Sequence, residues 1–279
     1  MRRLAFIVLL LVLAGCSSKA KPNATGTESP TGTSTPGASS SASVTPGAQP
    51  DQSATSVSPT VTASTRSTSK PNTLAPGVVV PAPGTYHYTQ NGSIQAAFYN
   101  FPADPQGTLS IGAPLADGDG KREQEERQYS SDWSEEQILW FRPAGVFIRS
   151  LTTRVGSGAL VEVDTCTPSH PLKVLELPLK VGDSWNDQGT CNGRTVTVSG
   201  RDLRTETRDV GGVSVLTHVV NIVTTQKGSG DDITLDLTMW VSTQYGLTVH
   251  ATTTGNGTAQ GYAFKENLTE DLVRLTPDP

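Results

Sequence analysis

The chain has few aromatic residues, and they are unevenly distributed. Its 279 residues include 16 Phe, Trp and Tyr; Phe6 lies in the first apolar stretch, and positions 7–85 contain none. A segment without aromatic residues cannot build much of a hydrophobic core. The sequence therefore predicts one folded domain, over residues 82–279, because roughly 200 residues can bury about 70% of the unfolded chain's surface as a single domain.

Long apolar runs are also absent, and the first run is too short to span a membrane. Residues 4–13 are apolar and follow the basic pair Arg2-Arg3, whereas a membrane-spanning helix needs about 20 apolar residues. The pattern predicts a signal peptide over residues 1–15. The run ends in Leu13-Ala14-Gly15-Cys16, which resembles the bacterial lipobox.

The lipobox resemblance implies that Cys16 is the lipidation site. Two or three acyl chains there would anchor the protein firmly, since each buried methylene contributes ~0.8 kcal/mol. The expected location is the extracytoplasmic face of the cell membrane, with the membrane as a partner through the lipid. The alternative is an ordinary secretion signal with an incidental cysteine.

The segment 16–81 is predicted to be a disordered linker. Ser, Thr, Pro, Gly and Ala occupy 39 of the 50 positions between residues 21 and 70, and such a composition cannot offset an ordering entropy of ~1 to 2 kcal/mol per residue. The linker is either an O-glycosylated stalk or a bare spacer.

Positive charge is scarce in the predicted domain. Residues 86–279 contain 15 Lys and Arg against 24 Asp and Glu, a net charge of −9. An acidic domain repels phosphate backbones, so we expect no nucleic-acid partner.

Only two thiols remain besides Cys16. Cys166 and Cys191 lie in a chain predicted to be exported to an oxidising compartment, and no Cys-x-x-Cys occurs. We therefore expect these two cysteines to form a disulfide. Two free thiols or a metal-binding pair are the alternatives.

The usual signatures of catalysis are missing. No Gly-x-Ser-x-Gly is present, and the histidines are His87, His170, His218 and His250. We expect His218 to be packed beside apolar neighbours and His250 to lie on a polar strand face. The two would approach as metal ligands only if their strands were neighbours, and no acid or cysteine completes such a set. We therefore expect no catalytic residue, no metal and no cofactor, and a hydrolase is the least favoured function.

Three further motifs are predicted to be structural. Residues 117–121 resemble the start of a calcium loop, but Lys121 stands where an oxygen ligand is required, which favours a hairpin turn. The charge run 121–127 is predicted to be a solvated strand face or edge. Residues 255–257, Gly-Asn-Gly, are predicted to form a hairpin turn.

Short β-branched and aromatic runs separated by Gly, Asp and Asn predict strands. Residues 233–241 alternate strictly, and Gln244-Tyr245-Gly246 connects them to residues 247–252 as an antiparallel hairpin. Residues 131–137 either open a short helix or turn into a strand, and we favour the turn. Residues 213–225 are apolar on both faces, which predicts a strand covered on both sides. The predicted strands are 86–90, 94–99, 123–129, 137–141, 146–153, 160–164, 195–199, 213–225, 233–241, 247–252 and 258–264.

This spacing predicts an all-β fold, with a single antiparallel curved sheet or half-barrel of about ten strands. Two motifs carry a resemblance: Leu177-Pro178-Leu179-Lys180-Val181-Gly182-Asp183-Ser184-Trp185, and Trp240-Val241-Ser242 followed by Tyr245-Gly246-Leu247-Thr248-Val249. Their pattern resembles bacterial, actinobacterial-type envelope lipoproteins with a LolA-like or LppX-like half-barrel. That resemblance implies a concave sheet able to hold an apolar or lipid ligand.

Five aromatic residues are candidates to line such a concave surface. They are Trp140, Phe141, Trp185, Trp240 and Tyr262; the alternative role for them is core packing. If the protein is a lipid carrier, we expect a cavity of several hundred Å³ lined by few charged side chains. The leading hypothesis is a non-enzymatic lipoprotein that binds an apolar ligand, and the alternative is a cell-wall-associated structural or protein-interaction module.

Overall fold

The computed structural model describes residues 73–74, 78–96, 99–156 and 161–278. The predicted signal peptide, Cys16 and most of the predicted linker lie outside the described residues. All regular elements in the described ranges are strands. In this part of the chain, no helix is long and apolar enough to cross a membrane.

The seventeen strands of the described residues are mostly long and joined by tight turns. They are β1 (Thr73–Leu74), β2 (Val78–Val79), β3 (Gly84–Ala96), β4 (Tyr99–Pro102), β5 (Gln106–Ile111), β6 (Leu115–Asp117), β7 (Gly120–Ser130), β8 (Trp133–Arg142), β9 (Gly145–Val155), β10 (Glu162–Cys166), β11 (Leu172–Glu176), β12 (Ser184–Cys191), β13 (Arg194–Val210), β14 (Val213–Gly228), β15 (Asp231–Ser242), β16 (Leu247–Ala259) and β17 (Tyr262–Leu272).

Strands β3 to β17 form one 15-stranded antiparallel sheet, in the order β10-β9-β8-β7-β5-β3-β17-β16-β15-β14-β13-β12. Three short strands lie off this path: β4 beside β3, β6 beside β7 and β11 beside β9. The predicted all-β class and single curved antiparallel sheet are confirmed, with more strands than the ten expected. β1 and β2 pair separately and lie within the segment predicted to be linker.

The sheet curls until its two terminal strands meet. β10 and β12 share no backbone ladder in the described residues, but the disulfide Cys166–Cys191 joins them. Beside it, the side-chain amide of Asn192 donates to the Thr165 carbonyl over 3.0 Å. The predicted disulfide is confirmed, and it closes the gap between the two ends of the sheet.

The enclosed face is divided into two apolar clusters. The larger includes Ile94, Trp133, Leu151, Val198 and Leu268, all buried. The smaller lies at one end of the sheet and includes Tyr86, Tyr88, Leu109, Leu247 and Leu272. The face between them is lined partly by polar side chains, which form the candidate site described below.

A long hairpin covers the end of the sheet at the smaller cluster. Residues 213–217 of β14 pair with β13 but have no partner on β15, and β13 has a bulge between Asp202 and Arg204. Val210 and Val215 from this overhang pack into the smaller cluster. The tip passes so close to the Val273 backbone that a Cβ at Gly211 would lie 2.9 Å from its carbonyl oxygen.

Residues 213–225, which were expected to be covered on both faces, are buried on only one face at each point along β14. In β14, Val215 and Val219 are buried, and the buried face changes at Val220. Leu216 is 62% exposed. The prediction for residues 213–225 was wrong because the first part of β14 belongs to the overhanging hairpin and the second to the curved sheet.

Two predicted boundaries near the C-terminal hairpin were also wrong. Residues 255–257 do not form a turn; they lie inside β16 and pair with both β15 and β17. Gly255 is needed there because a Cβ would lie 2.5 Å from the Leu235 side chain and 2.9 Å from that of Phe264. The turn falls instead at Gln260-Gly261, inside the predicted strand 258–264.

Two predicted turns are confirmed. Ser131 and Asp132 form a turn that leads directly into β8. Gly118 and Asp119 form the turn between β6 and β7, and Asp119 pairs with Arg142 over 3.0 Å.

Candidate functional site

A cavity of about 200 Å³ lies inside the curved sheet. Most of its wall is formed by aliphatic side chains from strands that face each other across the curved sheet. The apolar residues that line it are Val79, Pro81, Leu109, Leu139, Phe141, Val146, Ile148, Val174, Leu175, Leu177, Leu179, Ile222, Leu235, Leu237, Met239, Val241, Leu247, Ala251 and Leu268. Packed interiors leave few voids larger than a water molecule, so this space is a distinct feature of the domain.

The cavity is smaller than a typical small-molecule site. Such sites measure roughly 300–1,000 Å³, so the apolar part of a ligand that fits entirely within this one is limited to a single short chain. The segment before β3 contributes to the wall: Val79 and Pro81 line it, and the Val79 carbonyl lies so close to Gly246 that a side chain there would clash.

Charged side chains from β7 line part of the wall. Glu125, Arg127 and Tyr129 alternate along this strand and all face the cavity, while Glu126 between them is exposed. The prediction that residues 121–127 form a solvated face was therefore wrong for Glu123, Glu125 and Arg127. Successive side chains of a strand point to opposite faces, so a run with charges at nearly every position turns some of its charges inward when one face is enclosed.

β17 contributes two more carboxyls by the same alternation. Glu266 and Glu270 lie between Phe264, Leu268 and Leu272 on the buried face, and both line the cavity. β8 adds Glu135. The sequence analysis overlooked these residues, although two glutamates at every second position between apolar residues were a visible signal.

We refer to Glu125, Arg127, Glu135, Glu266 and Glu270 as the carboxyl belt. Arg127 donates to Glu270 over 2.7 Å, with both side chains largely buried, and its guanidinium lies 5.0 Å from the Tyr88 ring centre. The belt thus holds four carboxyls around one guanidinium, and that guanidinium already has a carboxylate partner.

Burial raises the pKa of the remaining belt carboxyls. For Glu266, desolvation and the neighbouring Glu135 and Glu270 hold the pKa well above 4.5. Desolvation raises the pKa of Glu135 to about 7, although a hydrogen bond from the Tyr129 hydroxyl over 3.0 Å opposes the shift. The pKa of Glu125 is raised by desolvation too. Near neutral pH, Glu135 is therefore close to half-ionised, and burial favours the protonated form of Glu266.

Two polar atoms in the cavity wall have no hydrogen-bond partner in the described part of the chain. They are Oε2 of Glu266 and Oγ of Ser242, on residues that are 8% and 0% exposed. A buried polar atom without a partner costs about 1–3 kcal/mol, so each is a feature that a bound molecule would satisfy.

Only Phe141 of the five aromatic candidates lines the cavity. Trp140 stacks with Arg142 and donates to the Asp117 carbonyl over 3.1 Å, so it faces away from the cavity.

The other three candidates also lie away from the cavity wall. Trp185 is buried in the larger cluster above Gly200, where a Cβ would meet its ring. Trp240 packs edge-on against His250, and Tyr262 is 44% exposed beside the β16–β17 turn. Strand alternation separates neighbours such as Trp140 and Phe141 to opposite faces.

The four histidines each pair with an aspartate instead of gathering at one site. The His218 and His250 ring nitrogens lie 2.6 Å from Asp202 and Asp271. His87 lies 2.8 Å from Asp278, and His170 lies 3.1 Å from Asp187. Within the described residues, no group of three His, Cys, Asp or Glu is placed to hold a metal ion.

Comparisons with known proteins are sparse. No protein-family model matches the chain, and no curated protein matches it significantly. Among solved structures, it is similar to the hypothetical lipoprotein YmcC from Escherichia coli (K12), with 13% identity, a TM-score of 0.31, and coverage of 70% of this chain and 85% of that one. At this level of likeness the neighbour carries no argument about function, which has to come from the residues of the chain itself.

Proposed function

We propose that this chain is a non-enzymatic, lipid-anchored envelope protein whose curved sheet binds an apolar ligand in its interior cavity. The observation that carries the proposal is a space of about 200 Å³ between mainly aliphatic walls inside the curved sheet. Apolar surface removed from water contributes roughly 25 cal/mol per Å², so an aliphatic chain seated there gains most of its binding free energy from burial.

The shape of the site supports a single chain rather than a whole lipid. The volume is below that of drug-sized sites, and the cavity wall contains charged residues, contrary to the few-charge wall expected from the sequence. The proposed ligands are therefore small amphiphiles with one short aliphatic chain.

A binding experiment with octanol tests this proposal. Octanol has one short chain and an uncharged head, and its binding is measured by isothermal titration calorimetry together with the rise in Tm at saturation. Ala251 is buried and lines the cavity, so Ala251→Phe fills the space and is expected to abolish binding.

A matched control is Ala263→Phe, at an exposed position on β17. It adds the same ring outside the cavity and is expected to bind octanol as the native chain does. Absence of octanol binding to the native chain, or equal binding to the Ala251→Phe variant, would contradict the proposed function.

The anchor is tested separately. Cys16→Ser removes the only thiol of the lipobox-like motif, and we expect a processed protein that no longer sediments with membranes. A processed variant that still sediments with membranes would contradict lipid anchoring at Cys16. Sedimentation with purified peptidoglycan would favour the cell-wall module instead.

A further inference from the structure

We propose that the ligand of the interior cavity carries a primary amine, whose ammonium group binds to Glu266 and the neighbouring carboxyls of the belt. This inference rests on the proposed function, because it names the chemistry of the head group that the same cavity holds. The inference starts from the lining of the cavity: aliphatic side chains form one part of the wall, and the carboxyl belt forms another.

The charge inventory of the belt favours a cation over an anion. Four carboxyls face the cavity, and the guanidinium of Arg127 is already bound to Glu270 over 2.7 Å. A carboxylate or phosphate head would meet Glu125, Glu135 and Glu266 without a free guanidinium to pair with it. A cationic head would be attracted instead, since each of these carboxyls is a potential counter-ion for it.

Glu266 is the residue best placed to receive that cation. It is 8% exposed, and its Oε2 has no hydrogen-bond partner among the described residues. Its neighbours on the same face of β17, Phe264 and Leu268, are apolar and supply no hydrogen-bond donor from their side chains. An N–H donor from the ligand would satisfy this oxygen.

An ammonium group with N–H bonds fits better than a quaternary one. The empty hydrogen-bonding position at Oε2 needs a donor, and a charge-assisted N–H···O bond is stronger than a hydrogen bond between neutral groups. The Ser242 hydroxyl, also without a partner in this part of the chain, gives the cavity wall a second polar contact.

Binding of an ammonium group should be coupled to proton release. Desolvation and the nearby carboxyls keep the pKa of Glu266 well above 4.5, and an adjacent cation lowers the pKa of a carboxyl, so binding of the ammonium group favours loss of the Glu266 proton. The titratable or charged groups that face this site are Glu125, Arg127 and Tyr129 on β7, Glu135 on β8, and Glu270 on β17. Affinity should therefore rise as pH rises through the range in which Glu266 titrates.

The test compares four probes with the same eight-carbon chain: octylamine, octyltrimethylammonium, octanol and octanoate. Calorimetry on the full chain at pH 7 is expected to give octylamine at least tenfold tighter than octanol, with octanoate and octyltrimethylammonium weaker than octylamine. The octylamine enthalpy should vary with the ionisation enthalpy of the buffer, as release of a proton on binding requires. The octanol enthalpy should not vary.

Variants assign the effect to its residue. Glu266→Gln is expected to weaken octylamine binding at least tenfold, to remove the buffer dependence and to leave octanol binding within about twofold. Glu126→Gln, on the exposed face of β7, is the matched control. It should leave octylamine binding, its buffer dependence and octanol binding unchanged. The probe comparison on the native chain keeps the test decisive if Glu266→Gln does not fold.

The outcomes separate this inference from the proposed function. If octanol binds as tightly as octylamine, or if octylamine binds without buffer dependence, the amine inference is overturned while the apolar site stands. If neither octanol nor octylamine binds, the cavity is not a site for such ligands and both proposals fail.

Discussion

Replacing Glu123 by Gln should make the protein more stable at neutral pH. Glu123 lies on the enclosed face of β7 but outside the cavity wall, is 1% exposed, and neither carboxyl oxygen has a hydrogen-bond partner in the described residues. Desolvation, reinforced by Glu125, raises its pKa from 4.5 to about 9. The folded protein therefore holds a proton that the unfolded chain releases.

The sign and size of the effect follow from proton linkage. An acid with a raised pKa in the folded state binds more protons there, so its contribution lowers stability as pH rises from about 4.5 towards 9. At 1.36 kcal/mol per pH unit, keeping this proton costs about 3 kcal/mol at pH 7. Gln does not ionise and is free of this cost, although its buried amide also lacks partners.

Urea unfolding followed by tryptophan fluorescence at several pH values measures the effect. The difference in unfolding free energy between Glu123→Gln and the native chain should grow in favour of the variant by up to about 1.4 kcal/mol per pH unit between pH 5 and 8. Glu126→Gln, at an exposed position on the same strand, should change stability by less than about 0.5 kcal/mol at every pH. A difference for Glu123→Gln that stays constant across this range would refute the reasoning.

Two further predictions concern contacts that close or support the sheet. Reducing Cys166–Cys191, which joins the terminal strands β10 and β12, should cost ~3 kcal/mol and lower Tm by about 6–12 °C in calorimetry; two reactive thiols in the unreduced native protein would contradict this. Arg194→Met should cost ~3–5 kcal/mol in urea unfolding, because it leaves Asp231, 2.8 Å away and with a fully buried side chain, without its cation. Arg204→Met, which breaks a largely exposed ion pair, should cost less than about 1 kcal/mol, and equal losses for the two arginines would show that burial does not set the cost.

The predictions that succeeded depend on local pattern. The alternation of residues 233–241 and the short connection at Gln244-Tyr245-Gly246 correctly gave the β15–β16 hairpin, because period two and turn chemistry are both properties of neighbouring residues. The pairing of Cys166 with Cys191 followed from cysteine number and the predicted compartment. That this bond joins the two ends of a sheet does not follow from number alone.

The predictions that failed depend on which strand faces which. Gly255 looked like a turn residue, but its lack of a side chain is needed where Leu235 and Phe264 from the two neighbouring strands meet above it. Among the candidate aromatics, Phe141 reached the cavity and Trp140 did not, because the face that a strand buries is set by its position in the closed sheet.

The sequence by itself determined the all-β class, the single curved sheet, the disulfide pair and most of the strands, since these follow from alternation, turns and cysteine number. Only the tertiary structure decided that the sheet curls until β10 and β12 meet and that a cavity stays open inside it. It also decided that Glu125, Arg127 and Glu135 from the adjacent strands β7 and β8 converge there with Glu266 and Glu270 from the distant strand β17. The physical reason is that alternation along a strand assigns each side chain to one of the two faces of the sheet. Which face is enclosed is decided only when distant strands pair and the sheet closes on itself. That enclosure removes the carboxyls from water and so raises their pKa values.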